Sequence, residues 1–299
     1  MAALRILLGR GTLVSALDER SRRALACGAM QPIQTVEETL RDAGVEFVVK
    51  RVASLARKQA EGARRDKPAN PFLPHEPGLF VADVSDTHFA LLNKFNVIER
   101  HLLVVTRRFV HQETLLDADD FAALAACMAE YESLGFYNGG VVAGASQPHK
   151  HLQLVPLPLA PSGPPAPVEA LFETLRGRAG ILRVPGLAFA HAFAWFDADE
   201  FADAARAAAR LAPLYLALYA AAGLKPIEAG GEARQSAPYN LLLTRRWMLL
   251  VPRSREHFES ISVNALGFAG SLFVRNQAER DAVRRAGPMR VLREVTLPA

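Results

Sequence analysis

Hydrophobic and polar positions recur along this chain with two different periods, and the places where the period changes mark its elements. Over residues 12–26, Leu13, Leu17, Ala24 and Leu25 fall at helical spacing with charges between them, which predicts an amphipathic helix. Residues 34–42 read as a second short helix and 45–52 as a strand. Strands are expected at 79–84 and 87–95 about the turn-forming Ser85-Asp86, with a further hairpin from 97 to 106. The clearest helix of the first half covers 117–134. Asp117 is a capping residue, Asp119 and Asp120 suit the positive end, and Phe121, Leu124, Met128 and Tyr131 keep a helical stripe. Strands are expected at 150–155 and 187–196, and an alanine-rich helix at 199–222 closed by Gly223.

Six of the twelve residues from 156 to 167 are proline, which removes backbone donors and disfavours both helix and central strand. That stretch predicts a connector between an N-terminal half, 1–155, and a C-terminal half, 168–299. A short repeat links the halves. Phe95-Asn96, then 103–107, then His111-Gln112-Glu113 parallels Tyr239-Asn240, then 249–253, then His257-Phe258-Glu259. The expectation is an α+β protein of two related units packed as a pseudo-dimer, with antiparallel sheet and flanking helices.

The strand at 150–155 carries the candidate chemistry. Polar and large apolar side chains alternate until Pro156, so His149, His151 and Gln153 share one face while Leu152 and Leu154 face the other way. Three readings stand. The row is a polar strand face and nothing more, or His-x-His supplies two zinc ligands, or an imidazole whose other N–H is held by a carbonyl attacks phosphorus. Zinc takes three or four ligands, and the chain has no Cys-x-x-Cys or His-Glu-x-x-His to complete a set. Residues 136–146 favour the third reading, because Asn138, Gly139, Gly140, Gly144 and Ser146 place amide, hydroxyl and backbone N–H groups just upstream, where they suit phosphate oxygens. Lys150 alternates to the opposite face, as a support residue or a phosphate contact.

Asn138, Ser146, His149, His151 and Gln153 resemble the signature of the histidine-triad superfamily in its transferase form, where Gln replaces the last His. Asn70-Pro71-Phe72-Leu73-Pro74, 92–98, 101–107 and 144–156 look like the ATP adenylyltransferase family, also called diadenosine tetraphosphate phosphorylases. Tyr239-Asn240, Trp247-Met248, Val251-Pro252-Arg253 and 262–270 extend the resemblance through the second half. It implies a histidine-triad-like fold in which His151 attacks the α-phosphorus of diadenosine tetraphosphate, giving an adenylyl-histidine and ATP, and inorganic phosphate then leaves as ADP. It also implies that Gln153 binds an α-phosphate oxygen, that Asn138, Gly139, Ser146 and Gln147 serve other oxygens, and that His149 orients the row. Asn93 and Asn96 match family positions near the nucleotide. Lys58 matches a family lysine within the basic stretch Arg51, Arg57, Lys58, Arg64, Arg65 and Lys67, which reads otherwise as a solvated loop. His75 stands where the family more often has Tyr. The second unit lacks His-x-His-x-Gln and is expected to complete the nucleotide pocket. Trp247 either stacks on adenine or fills the second core, and His101, His111 and His257 read as structural.

Gln carries no titratable proton, so unlike a third histidine it neither protonates a poor leaving group nor activates water, which favours transfer between phosphates over hydrolysis. The alternatives are a related adenylyl or uridylyl transfer to sulfate or a sugar phosphate, and a nucleotide sensor without turnover. Composition narrows the setting. At 299 residues, with 50% hydrophobic and 22% charged, the chain has material for a large core. Cys27 and Cys127 make no disulfide framework, no apolar run has membrane-spanning length, and cytoplasm is the expected compartment. A net charge of +4 suits polyphosphate as well as weak nucleic-acid binding, but no nucleic-acid motif accompanies it. Small-molecule partners, no membrane and a monomer are the default expectations. Magnesium is expected only from the charge of the substrate, and no organic cofactor is called for.

Overall fold

Two copies of a strand, helix, strand, strand unit lie side by side and share one sheet. The computed structural model describes residues 4–52 and 70–299. The first half runs α1 (Leu13–Ala26), β1 (Thr35–Asp42), β2 (Val45–Val52), β3 (Phe80–Asp83), β4 (His88–Leu92), β5 (Leu102–Thr106), α2 (Ala118–Met128), β6 (Ser133–Gly139) and β7 (His151–Pro156). The second half supplies β8 (Ala192–Trp195), α3 (Ala204–Ala221), β9 (Pro226–Ala229), β10 (Glu232–Gln235), β11 (Tyr239–Leu243) and β12 (Trp247–Pro252). It ends with the short pair β13 (His257–Phe258) and β14 (Ile261–Ser262), then α4 (Ala265–Ala269), β15 (Ser271–Val274), α5 (Gln277–Ala286) and α6 (Pro288–Glu294). Eight strands form the main sheet in the order β3-β4-β5-β7-β6-β11-β12-β8, every neighbour antiparallel. A three-stranded sheet of β1, β2 and β15 packs against it, with β15 parallel to β2.

The order reveals the internal repeat. From the β6·β11 junction outwards, β6, β7 and β5 are matched by β11, β12 and β8, with α2 and α3 as the equivalent helices. Leu154-Val155-Pro156 and Leu250-Val251-Pro252 end the matching strands, and Pro156 pairs with Ser133 as Pro252 pairs with Tyr239. The repeat expected from sequence had set 103–107 against 249–253. The structure corrects this, because β12 takes the place of β7, and Phe95-Asn96 lies in the loop before β5 while Tyr239-Asn240 begins β11.

Further corrections are local. Residues 34–42 form β1 and not a helix, paired with β2 along its whole length from Thr35↔Val52 to Asp42↔Val45. Ala43 and Gly44, both at positive φ, make the tight turn that this hairpin needs. The helix expected over 117–134 stops at Met128, and Ser133 already pairs with Pro156. Residues 97–101 form no strand. The long helix expected from 199 starts afresh after a 3₁₀ turn at Ala198–Ala202, where Asp203 Oδ1 accepts from the Arg206 N–H at 2.9 Å. Lys58, with Arg57, Arg64, Arg65 and Lys67, lies outside the described residues.

Strand alternation sends side chains to two cores. Tyr137, Leu152, Leu154, Leu241, Leu243 and Leu250 meet α2 and α3 on one face. Phe136, Val155, Leu242, Leu249 and Trp247 meet β2, α4 and β15 on the other. On the helix face, Asp120 ties three elements together. Its Oδ2 accepts from the Asp117 N–H at 2.9 Å in a capping box and from Lys150 Nζ at 2.5 Å, and its Oδ1 lies 3.0 Å from His88 Nε2. Burial alone would raise this carboxyl, but Lys150 first and His88 next outweigh it and hold it well below the ordinary carboxylate range. Lys150 is therefore a support residue, anchored also on the Leu115 carbonyl at 2.9 Å.

Breaking one side of a buried ion pair leaves the other charge stranded. Asp120→Ala is expected to lower unfolding free energy in urea by about 3–5 kcal/mol, and Asp120→Ala with Lys150→Met to recover most of that loss. A single-variant loss below about 1 kcal/mol would show that the pair does not hold α2 to β7.

Candidate active site

The row sits where the apolar cover of the second sheet face stops. His149 stands two residues before His151, which opens β7 opposite Val105, and Gln153 lies between Leu103 and Phe136. All three are buried, with the aromatic ring of Phe72 set against both histidines at 5.6 Å and 5.2 Å between centroids. The β6–β7 register pairs Phe136 with Gln153, and carried two residues on it puts Asn138 across from His151. The ladder opens there, and one side chain fills the gap. Gln112 Oε1 accepts from the His151 N–H at 2.9 Å, while its Nε2 donates to the carbonyls of Asn138 at 2.9 Å and His151 at 3.3 Å. The Tyr137 hydroxyl donates to the Gln112 carbonyl and locks the wedge from behind.

Hydrogen-bond partners assign the tautomers. His151 Nδ1 lies 2.8 Å from the His149 carbonyl, which can only accept, so Nδ1 carries the proton and Nε2 keeps its lone pair. Burial pushes the His151 pKa down to about 4, helped by His149 and opposed by that same carbonyl bond, so the ring is neutral at pH 7. His149 Nε2 lies 2.9 Å from the Thr106 carbonyl and therefore donates, leaving Nδ1 to accept from Asn70 Nδ2 at 3.1 Å. Asn70 is held in that sense because its Oδ1 accepts from the Phe72 N–H at 3.0 Å. Burial lowers the His149 pKa also.

The same logic orients Gln153. Asn93 Oδ1 accepts from the Phe95 N–H at 3.1 Å, so its Nδ2 donates to His101 Nδ1 at 3.2 Å. His101 then donates from Nε2 to Gln153 Oε1 at 2.9 Å. With its oxygen taken, Gln153 has only the NH₂ group free for an anion. Burial brings His101 down to about 4 against the Gln153 bond, so the relay stays neutral and directional.

Asn138 is fixed similarly, with Oδ1 accepting from Asn240 Nδ2 at 2.8 Å and from the Ala265 N–H at 3.0 Å. Beyond it the glycine loop forms a 3₁₀ turn at Val141–Ala143 with Gly140 and Gly144 at φ 88° and 91°. Only glycine fits at 144, because a Cβ there would stand 2.8 Å from Asn264 Cβ and 3.1 Å from its Cα. The N–H groups of Ala143, Gly144 and Ala145 bond within the loop itself and that of Gly140 to the Asn138 carbonyl, so the expected cradle is narrower than the glycine count implied.

The structure thus brings His149, His151, Gln153 and Asn138 together, with Gly139 beside Asn138 at the end of β6. Ser146 is exposed and Gln147 half-buried where the loop returns to His149. Asn93 faces His101, and Asn96 folds its own loop by donating from Nδ2 to the Ile98 carbonyl at 3.0 Å, with Oδ1 buried and without a partner among the described residues. Trp247 is fully buried, donates to Glu169 Oε1 at 2.7 Å and packs on Phe172, so it fills the second core. His101, expected as a structural residue, belongs to the site, and Gln112 and Asn70 were missed. The one sequence hint for His101 is its placement at the head of an apolar strand facing the row. Gln112 offers none, because its partners are backbone groups 26 and 39 positions away.

A family model described as the Ap4A phosphorylase N-terminal domain matches residues 3–174, and one described as the ATP adenylyltransferase C-terminal domain matches 185–298. The chain is 25% identical over 297 residues to protein APA1 of Saccharomyces cerevisiae, spanning 88% of this chain and 87% of that one. It is 27% identical over 249 residues to diadenosine 5',5'''-P1,P4-tetraphosphate phosphorylase 2 of the same yeast, spanning 74% and 72%. In fold it is similar to the crystal structure of yeast Ap4A phosphorylase Apa2, with TM-score 0.79, 22% identity and coverage of 98% and 96%. Apa2 in complex with Ap4A superposes with TM-score 0.76 at 21% identity, covering 98% of this chain and 99% of that one. With both halves matched in order and the row intact, the chain belongs to the ATP adenylyltransferase family of Ap4A phosphorylases.

Proposed function

We propose that this chain phosphorolyses diadenosine tetraphosphate to ATP and ADP through an adenylyl group carried on His151. The observation that supports this most is the bond from His151 Nδ1 to the His149 carbonyl, which leaves a neutral imidazole with its Nε2 lone pair on the face it shares with Gln153. In the first step Nε2 forms a bond to the α-phosphorus, the bond from that phosphorus to the bridging oxygen breaks, and ATP leaves as an anion. The positive charge that develops on the ring is shared through Nδ1–H with the His149 carbonyl. In the second step an oxygen of inorganic phosphate attacks the same phosphorus, the N–P bond breaks with its electron pair returning to Nε2, and ADP leaves. Neither step needs a proton from Gln153, whose NH₂ and that of Asn138 serve the non-bridging oxygens.

Gly139, Ser146 and Gln147 complete the oxygen contacts in this scheme, and Lys58 serves the distal phosphates. Asn93 acts through His101, and Asn96 holds the loop that carries both. Among the described residues no three metal-ligating side chains gather, so magnesium would enter with the polyphosphate and has no assigned step. Among them, too, no helix is long and apolar enough to cross a membrane.

Radiolabelled inorganic phosphate with unlabelled diadenosine tetraphosphate tests the reaction. The label is expected in the β-position of ADP alone, with unlabelled ATP in equal amount, and His151→Ala is expected to lose at least about 10³-fold in rate. Unlabelled ATP with AMP, or two unlabelled ADP, the products of hydrolysis, would rule out phosphorolysis.

The pH dependence follows from the lowered His151 pKa. The charged ring appears only below about pH 4, so single-turnover adenylyl transfer should stay level from about pH 8 to 5 and halve near 4. A half-fall near 6.5 would mean that the nucleophile is an ordinary exposed imidazole. Gln153→Ala should lower the same rate by about 10²-fold with the level region kept, and an unchanged rate would remove Gln153 from the anion site.

A further inference from the structure

Among the described residues, Arg253 is a buried cation with no carboxylate against it. It is 1% exposed, follows β12, and among those residues reaches only carbonyl oxygens, one amide and a ring. Nε donates to the Val295 carbonyl at 3.0 Å, Nη1 to the Val263 carbonyl at 2.8 Å, and Nη2 to those of Arg255 at 2.8 Å and Glu256 at 3.3 Å. The guanidinium carbon stands 5.3 Å from the centre of the Phe268 ring. Burial draws its pKa down to about 9 against the opposing influence of Glu256, so it stays charged at neutral pH. An uncompensated buried charge is costly to keep, and carbonyl groups such as these can be tied without one. Its shortest bond points toward the site, from Nη1 to Asn240 Oδ1 at 2.6 Å.

That bond decides which way Asn240 faces. With Oδ1 on the guanidinium, Nδ2 donates to Asn138 Oδ1 at 2.8 Å and to the Ala143 carbonyl at 2.9 Å. Asn138 Oδ1 also takes the Ala265 N–H, so its oxygen is saturated and its NH₂ is what remains for an anion across from His151. Positive charge, amide and amide form one polarised chain that ends on a donor, and such chains strengthen their members. We infer that Asn240, locked by Arg253, is a positioning residue for adenylyl transfer: the second unit holds Asn138 with its amide nitrogen toward the phosphate and polarises it. This rests on the anion-binding role given to Asn138 above.

Asn240→Asp tests it, because the new carboxylate keeps Arg253 as an ion partner but can no longer donate to Asn138, which must lose that bond or turn its oxygen to the anion. The experiment measures single-turnover adenylyl transfer from saturating diadenosine tetraphosphate, with thermal unfolding of each variant as the control. Asn240→Asp is expected to unfold no earlier than the parent yet to transfer about 10–100-fold more slowly. In an Asn138→Ala background the same substitution should change the rate by less than about two-fold, since Asn240 would have nothing left to position. Asn240→Ala, which frees Asn138 without adding charge, should show the same dependence on the residue at 138. A parental rate in both Asn240 variants, or losses that multiply in full with that of Asn138→Ala, would overturn the positioning role while leaving the site reading in place. A parental rate in Asn138→Ala would overturn the anion role of Asn138 and this inference together.

Discussion

Strands β6 and β11 lie side by side with Asn138 opposite Asn240, and this register sets both the continuity of the sheet and the position of the site. On the helix face it brings Tyr137 to 6.0 Å from Tyr239, whose hydroxyl lies 2.7 Å from that of Tyr215 on α3, so the joint between the units is filled by aromatic rings. On the other face it sets the amide of Asn240 against the amide of Asn138. A one-residue slip would exchange these faces, placing polar amides in the aromatic core and tyrosines at the site. The sheet is therefore specified most strongly where the two units meet, and the row of His149, His151 and Gln153 sits one strand away.

The groups that surround the row are neutral and directional. His149 and His151 each have one ring nitrogen fixed by a backbone carbonyl, and Gln153 and Asn138 each have their oxygen occupied from behind. Such donors need no reorganisation as charge moves on the phosphate, and in a buried site they act far more strongly than they would in water. Full charges stand further back. Lys150 and Asp120 neutralise each other beneath the sheet, and Arg253 reaches the site only through Asn240. A leaving polyphosphate is a weak base, and it matches a site that supplies donors without supplying a proton.

The row and its alternation were legible in the sequence because strand period is local: five consecutive residues decide that His149, His151 and Gln153 face one way. The helix at α2 was legible for the same reason, through Asp117 and the stripe from Phe121 to Met128. What failed was non-local. His101 and Gln112 act through partners in other strands, and apart from the place of His101 at the head of an apolar strand nothing in their own neighbourhoods marks them. Residues 34–42 were misassigned because β1 is a solvent-facing strand, whose alternation is blurred by its many charges and whose identity comes from pairing with β2. The internal repeat was detected but set against the wrong strand, since matched apolar runs do not encode sheet order. Arg253 and Asn240 carry no role that the sequence shows, because the role lies in who bonds to whom.

The most direct measurement is the intact mass of the protein after exposure to diadenosine tetraphosphate in the absence of phosphate, followed by location of any adduct by peptide mapping. One adenylyl group on His151, absent from His151→Ala and discharged as ADP when phosphate is added, is the predicted result. ATP and ADP formed at the normal rate with phosphate present, but with no adduct trapped in its absence and parental activity in His151→Ala, would contradict it and move the chemistry to another group.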